Sequence, residues 1–494
     1  MTASTPRKTM RTLLAGSLLA ALLPLATACT SVNPATGQEE FTLLSPADEA
    51  RLGREEHAKI VTRFGGVYDD PEVGGYVAEV GGRIVANSEL AGSSFTFTVL
   101  NTPVVNAFAL PGGYVYLTRG LLALAGDEAQ LAGVLAHEVG HVTARHTAQR
   151  MTRGTLVGLG AAVLGAAFGV PGELTNLGSE LYLKSFSRDQ EYEADLLGIR
   201  YLARAGYDPY AQSDFLQALA DHDRLARRLA GEDGSGGRPP EFLSTHPRTA
   251  ARVRRAIEAA AGSGVPPTAP RRRDAFLDRI DGLVYGDAPE QGFVRGRTFS
   301  HPGMGFTFTV PPGFRLINSE KAVYAKGPDR AVIVLDSKPT ERPTDPLRYM
   351  VNGWARNVRL EGIERIDLNG MAAATATTRI VRPNQTVYVR LVAIEFSPRR
   401  LFRFQFVVPD RMTPQLEEEL KRTTFSFRRL GPDEAARLKP LRLRVVTVRA
   451  GDTTASLAQR MAFEDFRIER FRTLNGLVPG EEPRPGTRVK IVVE

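Results

Sequence analysis

Between residues 127 and 151 apolar side chains return every three or four positions. Leu131, Val134, Leu135, Val139 and Val142 make one stripe of a helix. Gly126-Asp127 reads as a stop followed by an N-cap, and Glu128 suits the first turn. The pattern runs on through Ala144 to about Met151 before Gly154 weakens it. Just upstream the period shortens to that of strands: an apolar run from Asn106-Ala107-Phe108, the turn Pro111-Gly112-Gly113, then Tyr114-Val115-Tyr116-Leu117. Past residue 296 strand patterns dominate, at 305–310, 331–335, 386–396 and 401–408, with helical spacing around 346–360 and 413–423. That mixture predicts an α+β domain over 296–430 built on an antiparallel sheet. Residues 431–494 change again, to a strand, two short helices and a strand.

At 494 residues the chain is too long for one domain, so the fold class is α+β multidomain. The Pro- and Arg-rich stretch 262–273 closes the first unit, which gives a mainly helical domain over 29–262 and a linker over 263–295. Residues 231–240, dense in Gly, Ser and Pro, read as a mobile loop. Residues 156–170 are apolar and rich in Gly and Ala, but short of the roughly 20 that span a bilayer. They suit a lid, buried core or a membrane-touching hairpin.

Arg7, Lys8 and Arg11 precede an apolar run over 13–28, the pattern of a signal peptide covering residues 1–28. It ends Leu25-Ala26-Thr27-Ala28-Cys29, and Cys29 is the only cysteine, which excludes an internal disulfide. Small residues before a lone cysteine resemble a bacterial lipobox, implying lipidation of Cys29 and a membrane anchor; Thr30 favours the outer membrane over inner-membrane retention. Removing 1–28 takes away three positive charges and no negative ones, so the formal charge falls from +8 to +5. A basic exported chain is held electrostatically near anionic envelope polymers. No nucleic-acid motif accompanies the charge, so nucleic acid is excluded as a partner.

The densest chemistry lies on the first helix, in His137-Glu138-Val139-Gly140-His141. Residues four apart share a helical face, so His137 and His141 can grip one zinc ion, with Glu138 placed to take the proton of a water the metal polarises. The metzincin continuation is missing, since Ala144 and Thr147 stand at its glycine and histidine places. His146, five residues beyond His141, points off the metal-binding face of a continuous helix and reads as structural. The third donor comes from Glu191-Tyr192-Glu193-Ala194-Asp195: Glu191 as ligand, Asp195 accepting a proton from a ligating histidine, and Glu193 pointing elsewhere.

These stretches, with Asn106-Ala107-Phe108-Ala109-Leu110-Pro111-Gly112-Gly113 and Leu243-Ser244-Thr245-His246-Pro247, resemble the gluzincin metallopeptidases of the CAAX prenyl protease/HtpX/BepA family over about residues 33–260. The resemblance implies one Zn2+ on His137, His141 and Glu191, Glu138 as general base, and Asp195 orienting a histidine. It also places His246 and Arg252 near the metal, restraining the site or stabilising an oxyanion. A fourth metal contact from His246 would displace the water and act as an off-switch. In zinc peptidases an edge strand binds the substrate backbone, the role expected of Asn106, Ala107 and Phe108.

The 296–430 pattern is similar to the PsbP/Mog1 type. Residues 431–494 resemble LysM, a βααβ module that binds N-acetylglucosamine polymers such as peptidoglycan, through Gly451-Asp452-Thr453, Leu474-Asn475-Gly476 and Pro485-Gly486. Thr454 stands where that module has an aliphatic residue. Two functions compete: a zinc endopeptidase cleaving misfolded or misassembled envelope proteins, and a chaperone-like scaffold that holds partners or peptidoglycan with little proteolysis. Glu138 favours the first, because a scaffold has no chemical need of it.

Overall fold

The structure, a computed structural model, describes residues 30–155, 185–229, 231, 246, 250–319, 321–382 and 385–494. The expected signal peptide, Cys29, the 156–170 segment and all of the 231–240 loop but Gly231 lie outside the described residues.

Strands β1 (Thr30–Val32) and β2 (Glu39–Phe41) pair as a short hairpin. Helix α1 (Pro46–Arg63) starts on a Ser45–Asp48 capping box, and α2 (Pro71–Ala86) on Asp70 with proline in its first turn. A three-stranded sheet follows, made of β3 (Thr96–Leu100), β4 (Ala107–Leu110) and β5 (Tyr114–Thr118) in the order β3-β5-β4. The β4–β5 turn needs glycine on two counts. Gly112 has φ 80°, and a Cβ there would come within 2.7 Å of the Ala50 Cα on α1.

Helix α3 (Arg119–Leu124) leads into α4 (Glu128–Thr143), which carries the histidine motif. As expected, Asp127 caps α4, its side chain accepting from the Gln130 N–H. The helix ends earlier than the periodicity suggests. Arg145 takes φ 54°, and a new helical run begins at His146. Arg145 is buried and held there by Glu49 of α1, Ser31 and the Leu44 carbonyl, which over-determine a conformation unfavourable by itself. Helix α4 is buried almost all round, packed by α2, β4, α5 (Arg188–Arg204) and α6 (Ala211–Leu229), with α7 (Ala250–Gly262) behind α5.

Residues 263–295, read as a linker, are structured. They hold α8 (Arg273–Ile280), β6 (Val284–Tyr285) and β7 (Phe293–Arg295). Phe276, Leu277 and Ile280 of α8 are buried in the same core as α4, so the Pro/Arg-rich composition there marks turns rather than a free tether.

The expected antiparallel α+β domain is present, with its boundary near β7 rather than at 296. Strand β7 pairs with β8 (Thr298–His301), which continues to β9 (Phe306–Thr309). Seven further antiparallel strands form one sheet: β10 (Arg315–Asn318), β11 (Ala322–Lys326), β12 (Val332–Pro339), β13 (Glu361–Leu368), β14 (Met371–Arg382), β15 (Gln385–Ser397) and β16 (Arg400–Pro409). The helix expected at 346–360 shrinks to α9 (Pro346–Tyr349) and a π-turn; α10 (Thr413–Ser426) covers the sheet near β9 and β16. This domain has its own aromatic core, with Phe306, Phe402, Phe404 and Phe427 in mutual contact.

Strand β17 (Arg428–Arg429) and α11 (Pro432–Arg437) lead to a βααβ unit: β18 (Leu441–Thr447), α12 (Thr454–Gln459), α13 (Arg467–Asn475) and β19 (Arg488–Val493). The Asn475 side chain ties α13 to β19, its Nδ2 donating to the Lys490 carbonyl and its Oδ1 accepting the Lys490 N–H. This unit does not stand apart. β6 adds to its sheet beside β18, and Leu443, Leu457, Phe471 and Ile491 share one continuous core with α2, α4 and α8. Lys490 is fully buried, and its Nζ donates to the carbonyls of Ala123, Leu124 and Ala125 at the end of α3.

Candidate metal centre

Two glycines set the distance between the helices that carry the site. A Cβ on Gly140 of α4 would stand 3.0 Å from the Ala194 carbonyl oxygen, and one on Gly198 of α5 would stand 3.1 Å from the His137 nitrogen. α4 and α5 thus approach more closely than larger residues permit, which brings Glu191 up to the two histidines. α5 begins on a capping box in which Ser187 accepts from the Gln190 N–H and the Gln190 side chain accepts from the Ser187 N–H.

Four donors converge. His137 Nε2 and His141 Nε2 are 3.1 Å apart; His246 Nδ1 lies 3.3 Å from His137 Nε2 and 2.9 Å from Glu191 Oε1. Glu191 is 3.6 Å from His141 Nε2 and 3.7 Å from His137 Nε2. All four residues are buried, and one ligating atom from each lies within 4.8 Å of the others. Phe186 stacks on the His141 ring with centroids 3.9 Å apart, and the Arg150 Cζ lies over the Phe186 ring, 4.2 Å from its centroid.

The hydrogen bonds behind the histidines fix their protons. Glu193 Oε2 accepts from His146 Nε2 at 3.2 Å, so His146 Nδ1 is left to accept the His141 Nδ1–H at 2.8 Å. Asp195 Oδ1 stands 3.0 Å from His137 Nδ1, a charge that favours the proton on that nitrogen. Each ligand histidine therefore turns a bare Nε2 lone pair toward the other, an arrangement that is repulsive without a cation between them. Tetrahedral zinc, with bonds of about 2.0–2.1 Å, separates its nitrogen donors by roughly 3.3–3.4 Å, close to the spacings here. The residues fit a zinc ion.

His146 corrects the helical-wheel reading. The break at Arg145 swings it back against His141, where with Glu193 it orients a ligand; neither residue's part was visible from spacing alone. Arg252 was expected to restrain the site or to stabilise an oxyanion, and its contacts are of the first kind. Its Nε and Nη2 fork onto Asp195 at 2.7 and 2.8 Å, its Nη1 meets Glu191 Oε2 at 2.5 Å, and only 2 % of the residue is exposed. A guanidinium spent on two carboxylates clamps the ligand shell instead of donating to substrate. Burial alone would raise the Asp195 carboxyl, yet Arg252 holds it well below the usual carboxylate range. Glu191 is held down as well: burial opposes ionisation, while His246 and Arg252 favour it. Gln212 completes the support, donating to Asp195 Oδ1 at 2.9 Å.

Glu138 differs from every other carboxylate in the cluster. It is fully buried, neither oxygen has a hydrogen-bond partner among the described residues, and Oε1 stands 3.6 Å from His246 Nε2. Burial pushes its carboxyl up, against the pull of His246 and His137. A buried, unpaired carboxyl is costly unless a water pairs with it.

Strand β4 has β5 on one side; among the described residues its other edge has no strand partner. Ala107 and Phe108 are buried on it, and α4 packs against it. Asn106 just precedes it, fully buried; its backbone is paired with Thr118, while both polar atoms of its side-chain amide are without partners among the described residues.

Glu191→Ala is expected to purify with less than about a tenth of the wild-type zinc content, since one of three ligands and the group that Arg252 neutralises are both lost. Elemental analysis checks this. Full occupancy in the variant would remove Glu191 from the ligand set.

Residues 71–260 match peptidase family M48. The chain is 37% identical over 232 residues to a beta-barrel assembly-enhancing protease of Yersinia pestis, covering 44% of this chain and 45% of that protein. It is 32% identical over 253 residues to the protein of the same name from Escherichia coli, covering 49% and 50%. To the mitochondrial metalloendopeptidase OMA1 of Schizosaccharomyces pombe it is 32% identical over 233 residues, covering 46% and 65%. The chain thus spans about half the length of the bacterial relatives it matches. A solved cyanobacterial PsbP aligns with 28% of the chain at 14% identity and a TM-score of 0.21, too distant to bear on the argument. With a buried His137/His141/Glu191 donor set inside the matched segment, the chain carries a metallopeptidase domain of family M48 over residues 71–260.

Proposed function

We propose that the protein is a zinc-dependent endopeptidase of the bacterial cell envelope that acts on unfolded or misassembled envelope proteins. The observation that carries this is Glu138: a fully buried carboxyl with no hydrogen bond, beside four convergent metal donors. His137, His141 and Glu191 would hold the zinc, which when bound supplies Lewis-acid polarisation of the scissile carbonyl and of water. Glu138 takes the water's proton and delivers it to the leaving amine, a task its raised proton affinity suits. Asp195 and Arg252 fix His137 and Glu191, and the Asn106 amide with the open edge of β4 offers hydrogen bonds to an extended peptide. Recognition through backbone suits substrates defined by lost structure rather than by sequence.

Similarity to the bacterial beta-barrel assembly-enhancing proteases supports the envelope setting. The 1–28 leader and lipidation of Cys29 would place the enzyme on the periplasmic side of the outer membrane. Among the described residues no helix is long and apolar enough to cross a membrane. The βααβ order and the Asn475 tie support a LysM-like unit, with peptidoglycan as its ligand; the 296–430 region is proposed as a PsbP/Mog1-like recognition domain.

Purified full-length protein with zinc should degrade an unstructured protein such as casein. No cleavage at any enzyme concentration would favour the chaperone-like scaffold. One observation favours low resting activity: His246 fills the fourth donor position, where a water would otherwise enter. His246→Ala is therefore expected to raise casein turnover roughly tenfold by opening that position. A fall in turnover would instead assign His246 to oxyanion stabilisation.

A further inference from the structure

Arg119, the first residue of α3, is fully buried far from the metal ligands along the fold, beneath β6. Its Nε donates to Asn101 Oδ1 at 3.1 Å, its Nη1 to the carbonyls of Val284 and Gly286 at 2.6 and 2.9 Å, and the Tyr68 ring lies 5.7 Å from its Cζ. Among the described residues its Nη2 has no hydrogen-bond partner and no carboxylate forms an ion pair with it. Asp287 and Glu290 act on it only from a distance, and burial lowers its proton affinity to about 10. A buried cation with a spare donor and no counter-ion is a costly arrangement that a bound anion would relieve.

A cavity of about 170 Å³ adjoins it, at the junction of the metallopeptidase domain with the βααβ unit. Its walls combine Arg119, His222, Thr473 and Arg470, the last already paired with Asp465, with apolar groups that include Val105, Leu225, Ala226 and Leu474. For scale, an apolar cavity of about 150 Å³ admits benzene. One cation without an ion-pair partner, largely apolar walls and this volume select a carboxylate carrying an isobutyl- or phenyl-sized group.

We infer that this cavity is a binding site for a small hydrophobic carboxylate, whose charge Arg119 meets and whose apolar body lies between α3, α6 and α13. Two sources share that chemistry: a free branched-chain or aromatic acid, and the C-terminal residue of a peptide.

Calorimetric titration of the full-length, zinc-loaded protein distinguishes them with three probes: 4-methylpentanoate, N-acetyl-leucine and the neutral N-acetyl-leucinamide. At least one acid is expected to bind with a dissociation constant on the order of 0.1–1 mM, and the amide ~10-fold more weakly or less still. Equal binding of both acids points to free acids; preference for N-acetyl-leucine points to peptide C-termini. Arg119→Gln should lose the preference for acid over amide. Because Arg119 also holds β6, that variant risks misfolding, so Ala226→Phe, which fills the cavity from α6 and leaves Arg119 intact, is the second arm. It should abolish binding while far-ultraviolet circular dichroism stays unchanged. Acid and amide binding alike, undiminished binding to Ala226→Phe (capture of the carboxylate at the metal centre instead), or no heat up to ~10 mM would each overturn the inference.

Discussion

Glu138→Gln is expected to lower casein hydrolysis by about 10²–10⁴-fold, the usual contribution of a positioned general base, with zinc content and thermal stability at or above wild type. Glutamine keeps the volume of a side chain that fits a fully buried position and removes only its ability to accept and return a proton. Stability holds or rises because the wild-type carboxyl has no hydrogen-bond partner to lose among the described residues, and burial already disfavours its charge. The combination is what makes the result diagnostic. A structural carboxylate in an ion pair would weaken the fold when neutralised, whereas a catalytic one weakens only turnover. Equal cleavage by wild type and variant would place the base elsewhere or reveal a contaminating protease.

Deletion of residues 431–494 is expected to prevent stable folding of the metallopeptidase domain, read as loss of its cooperative thermal transition. Leu443, Leu457, Phe471 and Ile491 close a core that also contains α2, α4 and α8. Uncovering their partners costs on the order of 5 kcal/mol or more, comparable with the whole stability of a typical domain. Lys490→Met tests the same junction with one atom group. It keeps the apolar stem but leaves the Ala123, Leu124 and Ala125 carbonyls without their donor, at a cost of about 2–4 kcal/mol. An unchanged melting temperature in the truncated protein would mean that the βααβ unit is an independent module.

The chemistry of this chain was largely legible because it is local. The i, i+4 spacing of His137 and His141, the Asp127 cap and the strand-turn-strand at 106–117 each follow from a few adjacent residues. The Glu191/Asp195 pair was legible for the same reason, and Asp195 does stand behind His137. Reading failed wherever the answer depends on distant chain. Helical periodicity ran past Arg145 because only Glu49 and Ser31, about a hundred residues earlier, hold it in a left-handed conformation. From that error came the wrong path to His146, whose contact with His141 exists because the helix breaks. For Arg252 the sequence left restraint and oxyanion stabilisation both open, because its carboxylate partners lie on another helix. The supposed linker failed on composition, since Pro and Arg mark both tethers and tightly turned, ion-paired segments; Arg271 there bridges Asp127, Asp208 and Asp214.

The Lys490 contact also orders events in time. α4 is synthesised long before β19, yet the carbonyls that end α3, immediately upstream of α4, receive their partner only from β19. Contacts of such long sequence separation form late and slowly. A growing chain therefore carries the full histidine motif well before the core around it can close.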